Sequence, residues 1–414
     1  MSTNPPQRAI VLLDEEPIGA LVCRGNTSRF EPFEQWANEP TGKRRVLGQQ
    51  FEEDPQSARR GRFGAPTWFE HLLPEEGGPL RRAVARSLRL DETRSFALLV
   101  ALGENLPGAV RIRTDEGENP IPTIARRERT DPSRASADRL PPPPMRVSLA
   151  GLQFKISARE GKRGISVPAR GEEGDWILKF ADQRFSALPS NEFWTMRWAQ
   201  KSGIDVPEVR LQRTDEIEGI EAIAEATGEF AFAIRRYDRT ETGRVHQEDF
   251  AQVLGLELGD AKYFDTNIDT IVRVVSVLAP GDIPELLSRL VFCVIAGNDD
   301  AHAKNFALWY PEPTIPRLSP AYDLVATLEF LPANDMSLKL AKARRFADVD
   351  RSRFRRLAER AKLDPSATDE IVVQAVRDQL AAWSELRDQD AIGTNYRALI
   401  DDRVQSLPLV SECR

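Results

Sequence analysis

The chain has 414 residues, 41% hydrophobic and 29% charged, which is enough for a large core in two or three units. Its three cysteines, Cys23, Cys293 and Cys413, are scattered and odd in number, which speaks against a disulfide framework, and no apolar run is long enough to cross a bilayer. A net charge of -7 argues against a protein that coats nucleic acid unaided.

The first residues lack the apolar core of a signal peptide, so a cytoplasmic protein with no membrane partner is expected. Residues 1–114 predict a compact α+β unit. Residues 9–13 and 18–22 read as a strand pair around turn chemistry at 14–17. Residues 25–65 show little periodicity and read as loop with a short helix. A helix is expected at about 79–88, and residues 91–99 read as an N-cap followed by apolar helical spacing. Residues 109–112 alternate like a strand. Residues 115–145 are rich in Pro, Arg, Asp and Ser and include prolines 141–144, so they read as a linker or surface loop.

Residues 146–240 predict a β-rich unit. Two strands are expected over 146–157, one at 176–180, a helix over 191–202 stopped by Gly203, and strands at 221–225 and 230–237. Residues 241–414 predict helices at 247–256, 267–278, 283–296, 351–362 and 366–387. The fold class is therefore α+β. A β-rich N-lobe, an all-helical C-lobe and an added N-terminal α+β subdomain give the order of a bilobal protein kinase.

Phosphoryl transfer needs a cation over the phosphates, metal ions that offset developing charge, and a carboxylate aimed at the nucleophile. The run Gly297-Asn298-Asp299-Asp300-Ala301-His302-Ala303-Lys304-Asn305 carries an Asp followed five residues later by an Asn, the interval of a kinase catalytic loop. An apolar helical segment precedes it and Gly297 breaks that helix, so the polar run projects from a rigid base. Asp323 follows in the right order to be a second metal ligand, or else it caps a helix begun at Leu324. Lys179 ends an apolar strand and points either into a nucleotide cleft or out to solvent. Glu192 pairs with Lys179 or sits in a first helical turn favoured by the dipole. His302 and Lys304 stand between Asp300 and Asn305, where they steady the loop, touch a phosphate or face solvent. Arg235, Arg236 and Tyr237 lie where an interlobe hinge would read an adenine edge.

These residues, in this order, resemble the HipA family of bacterial toxin kinases. The resemblance runs through the whole chain, including Phe69-Glu70-His71-Leu72-Leu73-Pro74, the loop from Ser148 to Lys155, Gln247-Glu248-Asp249-Phe250 and Tyr322-Asp323. It implies a serine/threonine protein kinase that uses ATP and Mg2+. Asp300 would be the catalytic base, with Lys179 on the α- and β-phosphates and Asn305 and Asp323 on the metal. Ala150, Gly151, Leu152, Gln153, Phe154 and Lys155 would cradle the phosphates. Arg235, Arg236, Tyr237, His302 and Tyr322 would complete the ATP site, and Ser148 would be an inhibitory autophosphorylation site. The resemblance further implies a protein substrate, often an aminoacyl-tRNA synthetase, and slowed translation and growth. It implies a HipB-like helix-turn-helix antitoxin through which operator DNA is bound. Family members often carry a glutamate where this chain has Arg235. Two other readings stay open: a small-molecule or phosphoinositide-like lipid kinase, and an inactive scaffold in a DNA-bound repressor complex.

Overall fold

The computed structural model describes residues 7–55, 61–114, 154–161, 164–166, 174–181, 185–220, 228–331 and 335–414. Ser148, residues 150–153, the proline-rich segment and the strand expected at 221–225 lie outside them.

The chain opens on a hairpin of β1 (Gln7–Leu13) and β2 (Glu16–Arg24), whose turn places Asp14 at φ 61°, a left-handed conformation that Asp tolerates. The sheet continues with β3 (Thr27–Pro32), β4 (Arg62–Phe63) and β5 (Val110–Thr114) in the order β4-β3-β2-β1-β5. β3 falls where loop is expected. Its alternation is real, with Ser28, Phe30 and Pro32 inward, but it is short and half polar. Helices α1 (Glu34–Ala37), α2 (Gln49–Glu53), α3 (Thr67–Glu70), α4 (Pro79–Ser87) and α5 (Ser95–Ala101) complete the unit. Asp91 does not cap α5. Its carboxylate accepts the Thr93 amide at 2.9 Å in the preceding turn, and the helix starts after Arg94. Val11, Ile18, Phe30, Phe51, Trp68, Phe69 and Leu98 form a closed aromatic-rich core.

A second sheet comes next in the chain, built from β6 (Phe154–Gly161), β7 (Gly164–Ser166), β8 (Trp176–Phe180), β9 (Val209–Arg213) and β10 (Phe230–Arg235) in the order β7-β6-β8-β10-β9. α6 (Leu188–Lys201) lies between β8 and β9 in sequence and packs on β9 and β10. The period-2 alternation of β8 fixes the direction of its lysine. Trp176, Leu178 and Phe180 enter one apolar cluster, so Lys179 must face the other way.

The last region contains β11 (Arg239–Thr240), β12 (Gly243–Arg244), β13 (His246–Asp249), α7 (Phe250–Val253), α8 (Ala261–Phe264), α9 (Ile268–Leu278) and α10 (Ile283–Ala296). Strands β14 (Ala307–Glu312), β15 (Ile315–Leu318), β16 (Asp335–Leu340) and β17 (Ala343–Arg345) come next, then helices α11 (Arg351–Ala361), α12 (Pro365–Leu386), α13 (Thr394–Ser406) and α14 (Pro408–Ser411). The C-lobe is therefore helical in its core but not wholly so. Three small sheets, β11-β12, β13-β14-β15 and β16-β17, accompany the helices. The helix expected at 247–256 is corrected accordingly. His246 and Glu248 point inward at period 2, and helix begins only where Asp249 and Gln252 close a capping box. α10 buries nearly all of its surface at the centre of the largest cluster, where its Phe292 meets Trp198 edge-on and Trp198 tilts against Trp383. No helix among the described residues is long and apolar enough to cross a membrane.

Candidate active site

Lys179 is 3% exposed on the central strand of the second sheet, not on an edge. Its ammonium donates to Glu192 on α6 and to Asp323, both at close range. Lys155 is the direct cross-strand neighbour of Lys179, and its Nζ lies 3.8 Å from the other Asp323 oxygen. Two cations side by side on one sheet face repel each other unless an anion sits between them. Here that anion is Asp323, and the same place suits phosphate oxygens.

Burial alone would raise the Asp323 carboxyl, but the charges of Lys155 and Lys179 outweigh it and hold the group well below the usual carboxylate range. The same carboxylates overcome the burial of Lys179 and keep it protonated. Glu192 is wholly buried, and desolvation pushes its carboxyl up despite the lysine. Asp323 also sits at φ 56°, the left-handed conformation that Asp tolerates.

The Asp300 loop reaches the same cleft. α10 ends as expected, with Gly297 left-handed at φ 72° and the Asn298 amide closing back on the Cys293 carbonyl at 3.0 Å. The loop is tied down from several sides. The Asp299 amide donates to Thr327 Oγ1 at 2.7 Å, and that hydroxyl donates to the Gly297 carbonyl at 2.9 Å. Asn298 Oδ1 accepts the Asp300 amide at 3.1 Å, and its Nδ2 points at the Asp323 carbonyl. Lys155, Lys179, Glu192, Asp300, Asn305 and Asp323 thus line one cleft between the sheet and the helical region.

Asn305 bears on metal binding. Its Oδ1 is buried and has no hydrogen-bond partner, a cost that a cation would remove. Among the described residues no cluster of three or more His, Cys, Asp or Glu forms a closed cage. An amide oxygen and one ionised carboxylate beside two lysines fit Mg2+, which keeps waters and other oxygens in its shell.

Other expected residues have more local roles. His302 is 4% exposed, with Nδ1 unpartnered and its ring edge-on to Tyr263 at 5.0 Å, and burial holds its basicity well below the usual value. The Tyr322 hydroxyl donates to the Lys304 carbonyl at 2.9 Å, and its ring stacks on Tyr237 at 5.8 Å. Tyr237 donates to Gln247. Lys304 does not face solvent, since its Nζ binds Asp249 at 2.8 Å and the His71 carbonyl at 3.1 Å. Arg235 is exposed near Glu208. Arg236 is buried, gripping Asp238 at 2.8–2.9 Å and reaching the Leu106 carbonyl at 3.3 Å. Its side chain belongs to the junction with the N-terminal unit. Phe154 and Lys155 open β6, while Ala150 to Gln153 lie outside the described residues.

Sequence reasoning does not single out Tyr263, whose hydroxyl donates to Asp300 Oδ1 at 3.1 Å. It lies 37 residues upstream on a four-residue helix, and no periodicity marks it. Thr327 is equally silent in the sequence.

A family model described as "HipA N-terminal domain" matches residues 9–113, and one described as "HipA-like C-terminal domain" matches 147–383. The chain belongs to the HipA family. It is 35% identical to a Sinorhizobium fredii protein named "Putative kinase Y4dM", over 84% of this chain and 83% of that one. It is 25% identical to the serine/threonine-protein kinase toxin HipA of Shewanella oneidensis, over 62% and 61% of the two chains. The solved structure of HipA from that organism, with HipB and its operator DNA, superposes with a TM-score of 0.70 at 18% identity, covering 98% of this chain and 96% of that one. The fold is HipA-like and kinase-like, and the relatives are named as kinases.

Proposed function

We propose that this HipA-family kinase transfers the γ-phosphate of ATP to a serine or threonine of a protein substrate. The observation that carries the reading is Lys179 held between Glu192 and Asp323, in a cleft that Asp300 and Asn305 also line. Lys179 and Lys155 would bind the phosphates, and Glu192 would hold the Lys179 rotamer. Asp300 would orient the acceptor hydroxyl and take its proton. Asn305 and Asp323 would hold Mg2+, which when bound offsets the charge on the phosphate oxygens.

The finer parts of the proposal come from the family resemblance. They are a protein substrate such as an aminoacyl-tRNA synthetase, autophosphorylation at Ser148, slowed growth, and restraint by a HipB-like antitoxin that contacts operator DNA. The division at 1–114, 115–145, 146–240 and 241–414 is part of the same reading, supported by separate buried clusters in the N-terminal unit and the second sheet.

The test is transfer from labelled ATP, with and without Mg2+, to the chain itself, to lysate proteins and to lipids. Wild type should label protein in a Mg2+-dependent way, with phosphate on Ser148 by mass spectrometry. Asp300→Asn and Asp323→Ala should each lose at least about a hundredfold in rate. Label in lipid alone, or undiminished transfer by both variants, overturns the reading.

A further inference from the structure

Asp300 sits in a loop whose backbone is well fixed, but a carboxylate also needs its own rotation fixed. Its amide donates to Asn298 Oδ1 at 3.1 Å, and its carbonyl accepts the His302 amide at 2.8 Å. Both contacts set the main chain. At the side chain, the Tyr263 phenol donates to Oδ1 at 3.1 Å. A hydroxyl donating to one oxygen of a carboxylate restricts its rotamer.

Tyr263 itself is held from two directions. Its ring meets the edge of the buried His302 ring at 5.0 Å, inside the same loop. The Lys262 ammonium lies 5.0 Å from its centroid on the side of the N-terminal unit. Lys262 in turn is bound by Glu75, which belongs to that unit. A helix of four residues has little stability of its own, so these contacts give α8 its position. The C-lobe holds the tyrosine through β16 and His302, and the N-terminal unit reaches its helix through the Glu75–Lys262 pair.

We infer that Tyr263 is a positioning residue for phosphoryl transfer, holding the Asp300 carboxylate in the orientation that meets the acceptor hydroxyl. This rests on the reading of Asp300 as catalytic base. Its hydroxyl bonds the proposed base, so loss of that bond should appear in turnover and not in ATP binding.

Tyr263→Phe tests this with least disturbance, because the ring keeps its contacts with His302 and Lys262. The measurements are kcat and KM for ATP in both protein labelling and basal ATP hydrolysis, nucleotide affinity by a fluorescent ATP analogue, and Tm. The expected result is a fall in kcat of roughly tenfold, the size of one charge-assisted hydrogen bond lost at a reacting group. KM, analogue affinity and Tm should be unchanged. Unchanged kcat overturns the inference. So does a fall in kcat matched by weaker nucleotide binding or a lower Tm, which would make Tyr263 merely structural. Asp300→Asn is run alongside. If it is as active as wild type, the base assignment fails, and Tyr263 loses its role with it.

Discussion

Lys179 serves two carboxylates with one positive charge, and the three groups cannot be understood one at a time. Asp323 keeps its charge because Lys155 contributes a second cation. Glu192 is deeper and has one oxygen with no partner. Removing the lysine leaves two acids facing each other with little solvent, and breaking a buried pair in this way costs about 3–5 kcal/mol. Lys179→Ala should therefore unfold at a clearly lower denaturant midpoint as well as lose phosphate transfer. Adding Glu192→Gln to it should recover much of the midpoint but none of the transfer. A single variant of undiminished stability, by urea titration, would mean that the three side chains are not coupled as their contacts indicate. This cluster is largely legible in the sequence. Alternation along β8 separates Lys179 from Leu178 and Phe180, and the Asp300–Asn305 interval is local. The pairing of Lys155 with Lys179 is not legible, because register between β6 and β8 is set across the sheet.

Among the elements, those with long apolar periodicity are foreseeable and those with short or interrupted periodicity are not. α9, α10, α11 and α12 each run eleven residues or more and match expectation closely. β13 reads in the sequence as the start of a helix because four residues of alternation merge into the helical pattern after Phe250. α13 escapes notice because its inward positions, Tyr396, Ile400 and Arg403, include an arginine whose guanidinium binds the carbonyls of Val294 and Ile295. The Asp249 cap that ends β13 does two things at once. Its Oδ1 accepts the Gln252 amide at 2.9 Å, and its Oδ2 binds Lys304 of the Asp300 loop at 2.8 Å. Two substitutions separate these roles. Asp249→Ala should cost about 1 kcal/mol as a lost cap. Asp249→Asn should keep that stability, since Asn caps as well, yet release the charge on Lys304. A lower transfer rate in the Asn variant at unchanged urea midpoint would place Lys304 among the groups that hold the loop. An equal rate would confine Asp249 to capping.

Over the whole molecule, the N-terminal unit is joined to the kinase region by polar groups as much as by apolar ones. Asp238 accepts the Gly108 amide at 2.7 Å, His246 meets the Leu47 carbonyl at 2.9 Å, and Arg239 binds the carbonyls of Leu106 and Gly108. None of these is visible in the sequence, because each links residues more than a hundred apart. The most consequential is Glu248, which is fully buried. Its carboxyl accepts the Gln49 amide, the Trp68 indole and the Tyr310 hydroxyl. Burial pushes it up to about 7 from an ordinary 4.5, against the pull of those three donors. Between 4.5 and 7 the unfolded chain has already released this proton while the folded protein keeps it, so rising pH drains stability across that window. The drain amounts to about 3 kcal/mol and is complete above pH 7. The neighbouring His246 acts with the opposite sign. Burial lowers it to about 4 from 6.5, so the folded protein gains stability as pH rises through that range. The two partly cancel in the wild type, and the Glu248 contribution is read only by difference. Urea midpoints of wild type and Glu248→Gln at pH 5, 6, 7 and 8 supply it. The wild type should lose ground steadily to the variant as pH rises. A flat difference would mean that the three donors outweigh burial and that the carboxylate is already ionised at pH 5.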